Sequence, residues 1–207
     1  MVSKIKEALH ELKHHAPFTL AATLIALAII LILYAFRDAN FILIMKDSFW
    51  VAHPAHLFVS AITSAAMFYR YKKNIPKAIL VSLVAAIVIG SLSDIIFPFL
   101  GGIILGLKME FHLPLIEEPI TIILVTLAGS MVGIKAKITK IPHFLHVFIS
   151  VFASLFYIIA YTTTISSLLF VLAFIVVFIS VIIPCCLSDI VLPFFFLGEK
   201  IKHCECH

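Results

Sequence analysis

Hydrophobic residues run along the chain in six long blocks, and the short segments between the blocks carry most of the charged residues. A helix needs about 20 apolar residues to cross a hydrocarbon core of roughly 30 Å. No block has the alternating ten-residue pattern of a membrane β-barrel strand. The pattern predicts an all-α polytopic membrane protein with six transmembrane helices. The predicted helices cover residues 17–36, 50–69, 77–99, 119–135, 143–162 and 166–197.

Composition and charge agree with a membrane location. Hydrophobic residues make up 63% of the chain and charged residues 13%, and the mean hydropathy is +1.19. The tails and loops on one side of the predicted bundle hold 12 Lys and Arg residues, and the other side holds 3. The positive-inside rule therefore predicts that both termini are cytoplasmic, in a multi-pass protein of the cell membrane. Because the net charge of +4 reflects this topology, no nucleic-acid partner is expected.

Polar residues recur in the same order in the two halves of the chain. HPAHLFVSAITSAAMFY from His53 and HFLHVFISVFASLFY from His143 each carry a second His at i+3 and Ser at i+7 and i+11. GSLSDIIFPFL from Gly90 and CCLSDIVLPFF from Cys185 each place an Asp four residues before a Pro. Three helices per half make the halves run in opposite directions. The repeat thus predicts a 3+3 inverted topology, which many secondary transporters share.

The chain is predicted to form a single membrane domain over 1–207, since no Ser/Gly-rich linker divides it. The first three-helix repeat covers 14–99, and the second covers 117–197. An extracellular connector at 100–116 joins them, and a cytoplasmic tail rich in Cys and His occupies 198–207.

Sorting the ionisable residues by depth gives two clusters of similar composition. The cluster expected near the outer face consists of His53, His56, Asp94, Glu117 and Glu118, with His112 as a further candidate. The cluster expected near the inner face consists of His143, His146, Asp189, His14 and His15. Imidazole and carboxylate together suit Zn, Mn, Fe, Co or Ni, and His residues at i and i+3 share a helix face. Both clusters are therefore predicted to bind a divalent transition metal.

Serine and proline residues continue the two clusters into the bilayer. We expect them to line a polar path or to support the metal ligands, although Ser in a membrane helix also serves packing. They are Ser60, Ser64, Ser93, Pro98, Ser150, Ser154, Ser188 and Pro193. Because proline has no N–H, Pro98 is expected to free the carbonyl of Asp94, and Pro193 that of Asp189. The terminal HCECH segment adds soft ligands for metal capture, namely His203, Cys204, Cys206 and His207.

One stretch resembles a known family. The run FVSAITSAAMFYRYKKNIPKAILVSLVAAIVIGSLSDIIFP, from Phe58, is similar to the Ser/Ala-rich helix and following Asp helix of prokaryotic membrane exporters associated with manganese or arsenic. The likeness covers helices 2–3 and extends to 5–6. Those exporters have about ten helices and a His-rich loop, whereas six helices and no such loop are predicted here. The resemblance implies heavy-metal export.

Three functions fit these patterns. A divalent-metal transporter would use the duplicated clusters as entrances on opposite sides, with protons as coupling ions because the chain has no nucleotide-binding motif. An intramembrane metal-dependent hydrolase would use the Ser, His and Asp residues, but it needs only one site. A haem protein would need His ligands facing each other at one depth. The transporter is favoured over an enzyme, and its partners would be the lipid bilayer, metal ions and protons, with homo-oligomers allowed.

Overall fold

The computed structural model describes the backbone of residues 2–138, 140–163 and 165–197, and the side chains of 16–138, 141, 144–163 and 165–184. This part of the chain is almost entirely helical. The elements are α1 (Val2–Ala35), α2 (Phe41–Tyr71), α3 (Ile75–Ser91), a π-helical turn (Leu92–Ile96), α4 (Phe97–Ile104), α5 (Pro114–Glu117), α6 (Pro119–Ala136), α7 (Lys140–Tyr161) and α8 (Ser167–Leu197). The π-helical turn joins α3 to α4 without a break.

Six of the described helical segments are long and apolar enough to cross a membrane, which confirms the six-helix prediction. They are Ala16–Ala35, Phe41–Tyr71, Ile75–Ile104, Pro119–Ala136, Phe144–Tyr161 and Ser167–Pro184. The predicted start of the second helix at residue 50 is wrong, because α2 begins at Phe41. Asp38 accepts a hydrogen bond from the backbone N–H of Asn40 at 2.9 Å in the turn before it. Polar residues at 46–48 had marked a boundary, but the helix continues through them.

The second spanning helix, α2, lies at the centre of the bundle. It packs against α7, α6 and α3, while α7 also packs against α8 and α1. The outer pairs are α3 with α6 and α1 with α8. The two helices that carry the repeated His and Ser residues, α2 and α7, therefore face each other through the core.

Two glycines allow a close approach of α6 to α2. A Cβ on Gly129 would collide with the backbone oxygen of Phe58, and one on Gly133 with that of Ile62. Because both pairs of positions advance together by four residues, α2 and α6 run parallel. Their C-terminal ends, with the basic loops that follow, thus lie at the same end of the bundle, as the charge pattern predicted.

Candidate functional site

A carboxylate and two imidazoles meet in the interior of the bundle. His53 and His56 come from consecutive turns of α2, and Asp94 comes from the π-helical turn. The Nδ1 atom of His53 lies 2.8 Å from Asp94 Oδ2, and that of His56 lies 2.7 Å from the same oxygen. All three side chains are at most 1% exposed. We call these three residues the His–Asp–His centre.

Two serines complete the environment of the carboxylate. The hydroxyls of Ser93 and Ser150 lie 2.8 Å and 2.6 Å from Asp94 Oδ1. An ionised carboxylate has about four lone-pair sites and no donor. Two imidazole N–H groups and two hydroxyl groups therefore satisfy Asp94 when it is ionised and both histidines carry their proton on Nδ1.

Pro98 explains why the helix changes register beside Asp94. The N–H of Phe97 bonds to the carbonyl of Leu92, one residue further back than in an α-helix. Since Pro98 has no N–H, the carbonyl of Ser93 has no donor in this register. The Ser154 hydroxyl lies 3.0 Å from that carbonyl oxygen and 2.8 Å from the carbonyl oxygen of Ser150. The sequence prediction assigned the freed carbonyl to Asp94, one residue later, because it was based on an α-helical register.

Residues of the second repeat reach the same place. The ring of His146 on α7 lies parallel to that of His56, with the centroids 5.9 Å apart and the planes at 10°. Together with Ser150 and Ser154, His146 brings α7 to the His–Asp–His centre. The sequence prediction assigned His146 to a separate cluster near the inner face, and Ser150 and Ser154 to a polar path that continues that cluster into the bilayer. The structure instead joins them to the first repeat, because α2 begins earlier than predicted and its histidines lie in mid-helix.

The two glutamates predicted for the outer cluster make their hydrogen bonds away from Asp94, among the described residues. Glu117 accepts a hydrogen bond from the backbone N–H of Leu113 at 3.0 Å and contacts His112 Nδ1 at 3.2 Å. Glu118 accepts a hydrogen bond from the Thr121 hydroxyl at 3.1 Å. Glu118 precedes α6, where a negative charge is favourable to the helix dipole. Local hydrogen bonds account for both carboxylates, and the predicted grouping of them with Asp94 is not found among the described residues.

Aromatic side chains lie between the His–Asp–His centre and the partly exposed pair of His112 and Glu117. Phe49 stacks on His53 with the ring centroids 5.7 Å apart, and its edge contacts the rings of Tyr157 and Tyr161. The ring of His112 lies on that of Tyr161 at 4.3 Å. No role was predicted for Phe49, Tyr157 or Tyr161, because the chain has 19 Phe and 5 Tyr residues. Of the three, Tyr157 falls in a repeated motif as its aromatic last residue.

The remaining predicted residues divide into two groups. Ser60 is buried on α2 and Ser64 is partly exposed. The side chains of the other candidates lie outside the described residues: His14, His15, His143, Ser188, Asp189, Pro193, His203, Cys204, Cys206 and His207. Apart from His146, the second predicted metal cluster therefore lies outside the described side chains and stays a prediction.

The contacts of the centre are hydrogen bonds and do not form a chelate. Within the described residues, no group of three or more His, Cys, Asp or Glu side chains is arranged to hold a metal ion. The donor types still suit a transition metal, because neutral imidazole binds such ions and a carboxylate commonly holds the imidazole in place. Cation binding at this centre would thus involve the imidazoles first.

Fold and centre together define an all-α, multi-pass membrane protein with ionisable residues buried between its spanning helices. No family model, curated protein or solved structure matches the chain. The resemblance to heavy-metal exporters accordingly stays a prediction.

Proposed function

We propose that the protein is a secondary transporter that moves a divalent transition-metal cation across the cell membrane in exchange for protons. The observation that carries the proposal is the complete burial of Asp94 between His53 and His56. Ionisable groups within membrane helices are costly to bury, and they mark ion pathways and proton relays. A purely structural role would need no ionisable triad at this position.

The chemistry of the centre suits exchange between protons and metal. Imidazole is the side chain whose charge ordinarily changes between pH 5 and 8. Metal ligands must be deprotonated, so a proton and a metal ion compete for the same nitrogen. Among divalent metals, Zn, Mn, Fe, Co and Ni fit imidazole-containing sites better than Mg or Ca does. A pH difference across the membrane could therefore drive the cation through the protein.

The helix arrangement supports an inverted repeat. A half-turn about an axis in the membrane plane would exchange α2 with α7, α6 with α1 and α3 with α8. The pairs α2–α6 and α2–α3 would then become α7–α1 and α7–α8, and α3–α6 would become α8–α1, all of which are in contact. His56 and His146, which occupy equivalent repeat positions, meet across α2 and α7. We propose that both termini are cytoplasmic and that the repeats alternate in giving access to the centre.

The second repeat would supply the counterpart of the His–Asp–His centre. Its equivalent residues are His143, His146 and Asp189, with His14 and His15 close in predicted depth. The tail from His203 to His207 would then collect metal on the cytoplasmic side, which favours export.

The described contacts give less support to the hydrolase alternative. A serine nucleophile needs an imidazole within hydrogen-bond reach to accept its proton. Here the shortest contacts of Ser93 and Ser150 are with the carboxylate of Asp94, not with a histidine. Asp94 thus lies between serine and histidine, whereas in a catalytic triad the histidine lies between the other two.

Metal uptake into liposomes that contain the purified protein tests the proposal. We expect at least one of Mn, Fe, Co, Ni, Zn and Cd to enter. Entry should be faster when the liposome interior is more acidic than the medium, because protons then leave as the metal enters. His53→Ala should abolish this uptake, and Asp47→Ala, which removes an exposed carboxylate from the same helix, should leave it unchanged. Wild-type protein that binds a metal tightly but moves none under any gradient would refute transport.

A further inference from the structure

The saturation of Asp94 identifies which atom of the centre is available to a ligand. Both Nδ1 atoms contact Oδ2, and both serine hydroxyls contact Oδ1. The carboxylate therefore has no lone pair left for a cation unless one of these hydrogen bonds is broken. Coordination by Asp94 itself would dismantle the arrangement that the fold builds around it.

The second ring nitrogen of His53, Nε2, is not saturated with hydrogen bonds as the carboxylate of Asp94 is. In the neutral tautomer that donates Nδ1–H to Asp94, Nε2 has a free lone pair. Within the described residues, His53 Nε2 is buried and has no hydrogen-bond partner. Buried polar atoms without a partner are rare, and such an atom in a native structure calls for a ligand, water or function. Metal-binding histidines commonly donate their second ring N–H to a carboxylate.

We infer that Asp94 is a positioning residue, and that His53 Nε2 is the atom that binds the transition-metal cargo. Asp94 fixes the tautomer and orientation of both imidazoles and remains outside the coordination shell of the metal. This inference rests on the proposed function for the identity of the cargo. It differs from the interpretation of the sequence, in which Asp94 was a metal ligand.

The tautomer of the metal-free protein tests the positioning role. ¹⁵N NMR of histidine-labelled protein in detergent should show the proton of His53 and His56 on Nδ1. Asp94→Ala should lose this tautomer. Ser150→Ala removes the hydroxyl that contacts Oδ1 and the Ser93 hydroxyl, but it leaves both Nδ1 contacts to Oδ2 in place. This variant should therefore keep the tautomer, and it serves as the folded control. Wild-type spectra with the proton on Nε2 of both histidines would overturn the positioning role.

Binding of ¹¹³Cd tests the ligand role in the same samples. Coupling between ¹¹³Cd and ¹⁵N should appear on Nε2 of His53. His53→Ala should weaken Cd binding more than Asp94→Ala, whose effect should be the roughly 10–100-fold loss typical of residues that support a metal ligand. Asp47→Ala is the matched control and should bind as the wild type does.

Two results would overturn the ligand role. Coupling on Nδ1 of His53 would place the metal between the imidazole and the carboxylate, with Asp94 as a second ligand. Wild-type protein that binds no Cd would overturn the proposed function together with the ligand role, while the tautomer would still decide the positioning role of Asp94.

Discussion

At the scale of single residues, the carboxylate of Asp94 links three segments of the chain. It accepts hydrogen bonds from α2 through two histidines, from its own turn through Ser93, and from α7 through Ser150. Hydrogen bonds to a charged group contribute more than neutral ones, about 1.5–3 kcal/mol. The ionisable centre is thus also a junction between α2, the π-helical turn and α7.

Ser150→Ala measures the strength of this junction. Loss of the hydroxyl leaves one carboxylate lone pair without a donor, so we expect the free energy of unfolding to fall by about 1.5–3 kcal/mol. Unfolding in detergent, followed by circular dichroism, would give this value. The matched control is Ser64→Ala, which removes a partly exposed hydroxyl from α2 and should change stability by less than about 0.5 kcal/mol. Equal effects of the two substitutions would contradict the assignment.

At the scale of helices, close packing of small residues fixes the contact between α2 and α6. Gly129 and Gly133 lie against the backbone of α2, and the Ser82 hydroxyl donates to Ser130 at 2.7 Å between α3 and α6. Membrane helices associate through such packing and hydrogen bonds because lipid offers no hydrophobic driving force between them. This contact holds α2 and therefore the position of its two histidines.

Gly133→Ala should separate the two helices. The added methyl group meets the backbone of Ile62, which cannot rotate away as a side chain could. We expect a loss of about 1–3 kcal/mol in the free energy of unfolding, the usual cost of overpacking. Met131→Ala alters an exposed side chain of the same helix and serves as control. Thermal unfolding in detergent that shows no difference between the two variants would refute the close approach.

The positions of the helices could be predicted from the sequence more completely than their packing. The six spans followed from hydropathy, and the association of His53, His56 and Asp94 followed from their spacing and predicted depth. The start of α2 was missed because Lys46 and Asp47 interrupt the apolar run, although a helix can continue past polar residues. Contacts between α7 and Asp94 depend on how helices pack, which no local pattern encodes.

At the scale of the whole molecule, we propose that the two repeats run in opposite orientations. α2 and α6, which are the second and fourth spanning helices, run parallel. The contacts Phe49–Tyr157 and His56–His146 run in opposite chain directions, so α2 and α7 are antiparallel. The 3+3 inverted topology proposed here requires both relations.

Cysteine labelling tests this topology in cells. In a variant whose four native cysteines are replaced by Ser, Lys73→Cys and Lys137→Cys should react with a membrane-impermeant reagent only after the membrane is opened. Lys108→Cys should react in intact cells. Labelling of positions 73 and 137 from opposite sides would contradict both the parallel packing and the inverted repeat.

Proton movement coupled to metal entry tests the central claim most directly. Liposomes containing the protein and an internal pH dye would receive external Zn, without any initial pH difference. The account predicts that the interior becomes alkaline as Zn enters, that Asp94→Asn abolishes the change, and that Asp47→Ala preserves it. Zn entry with no change of internal pH, or an Asp94→Asn response equal to that of the wild type, would contradict proton-coupled transport through the His–Asp–His centre.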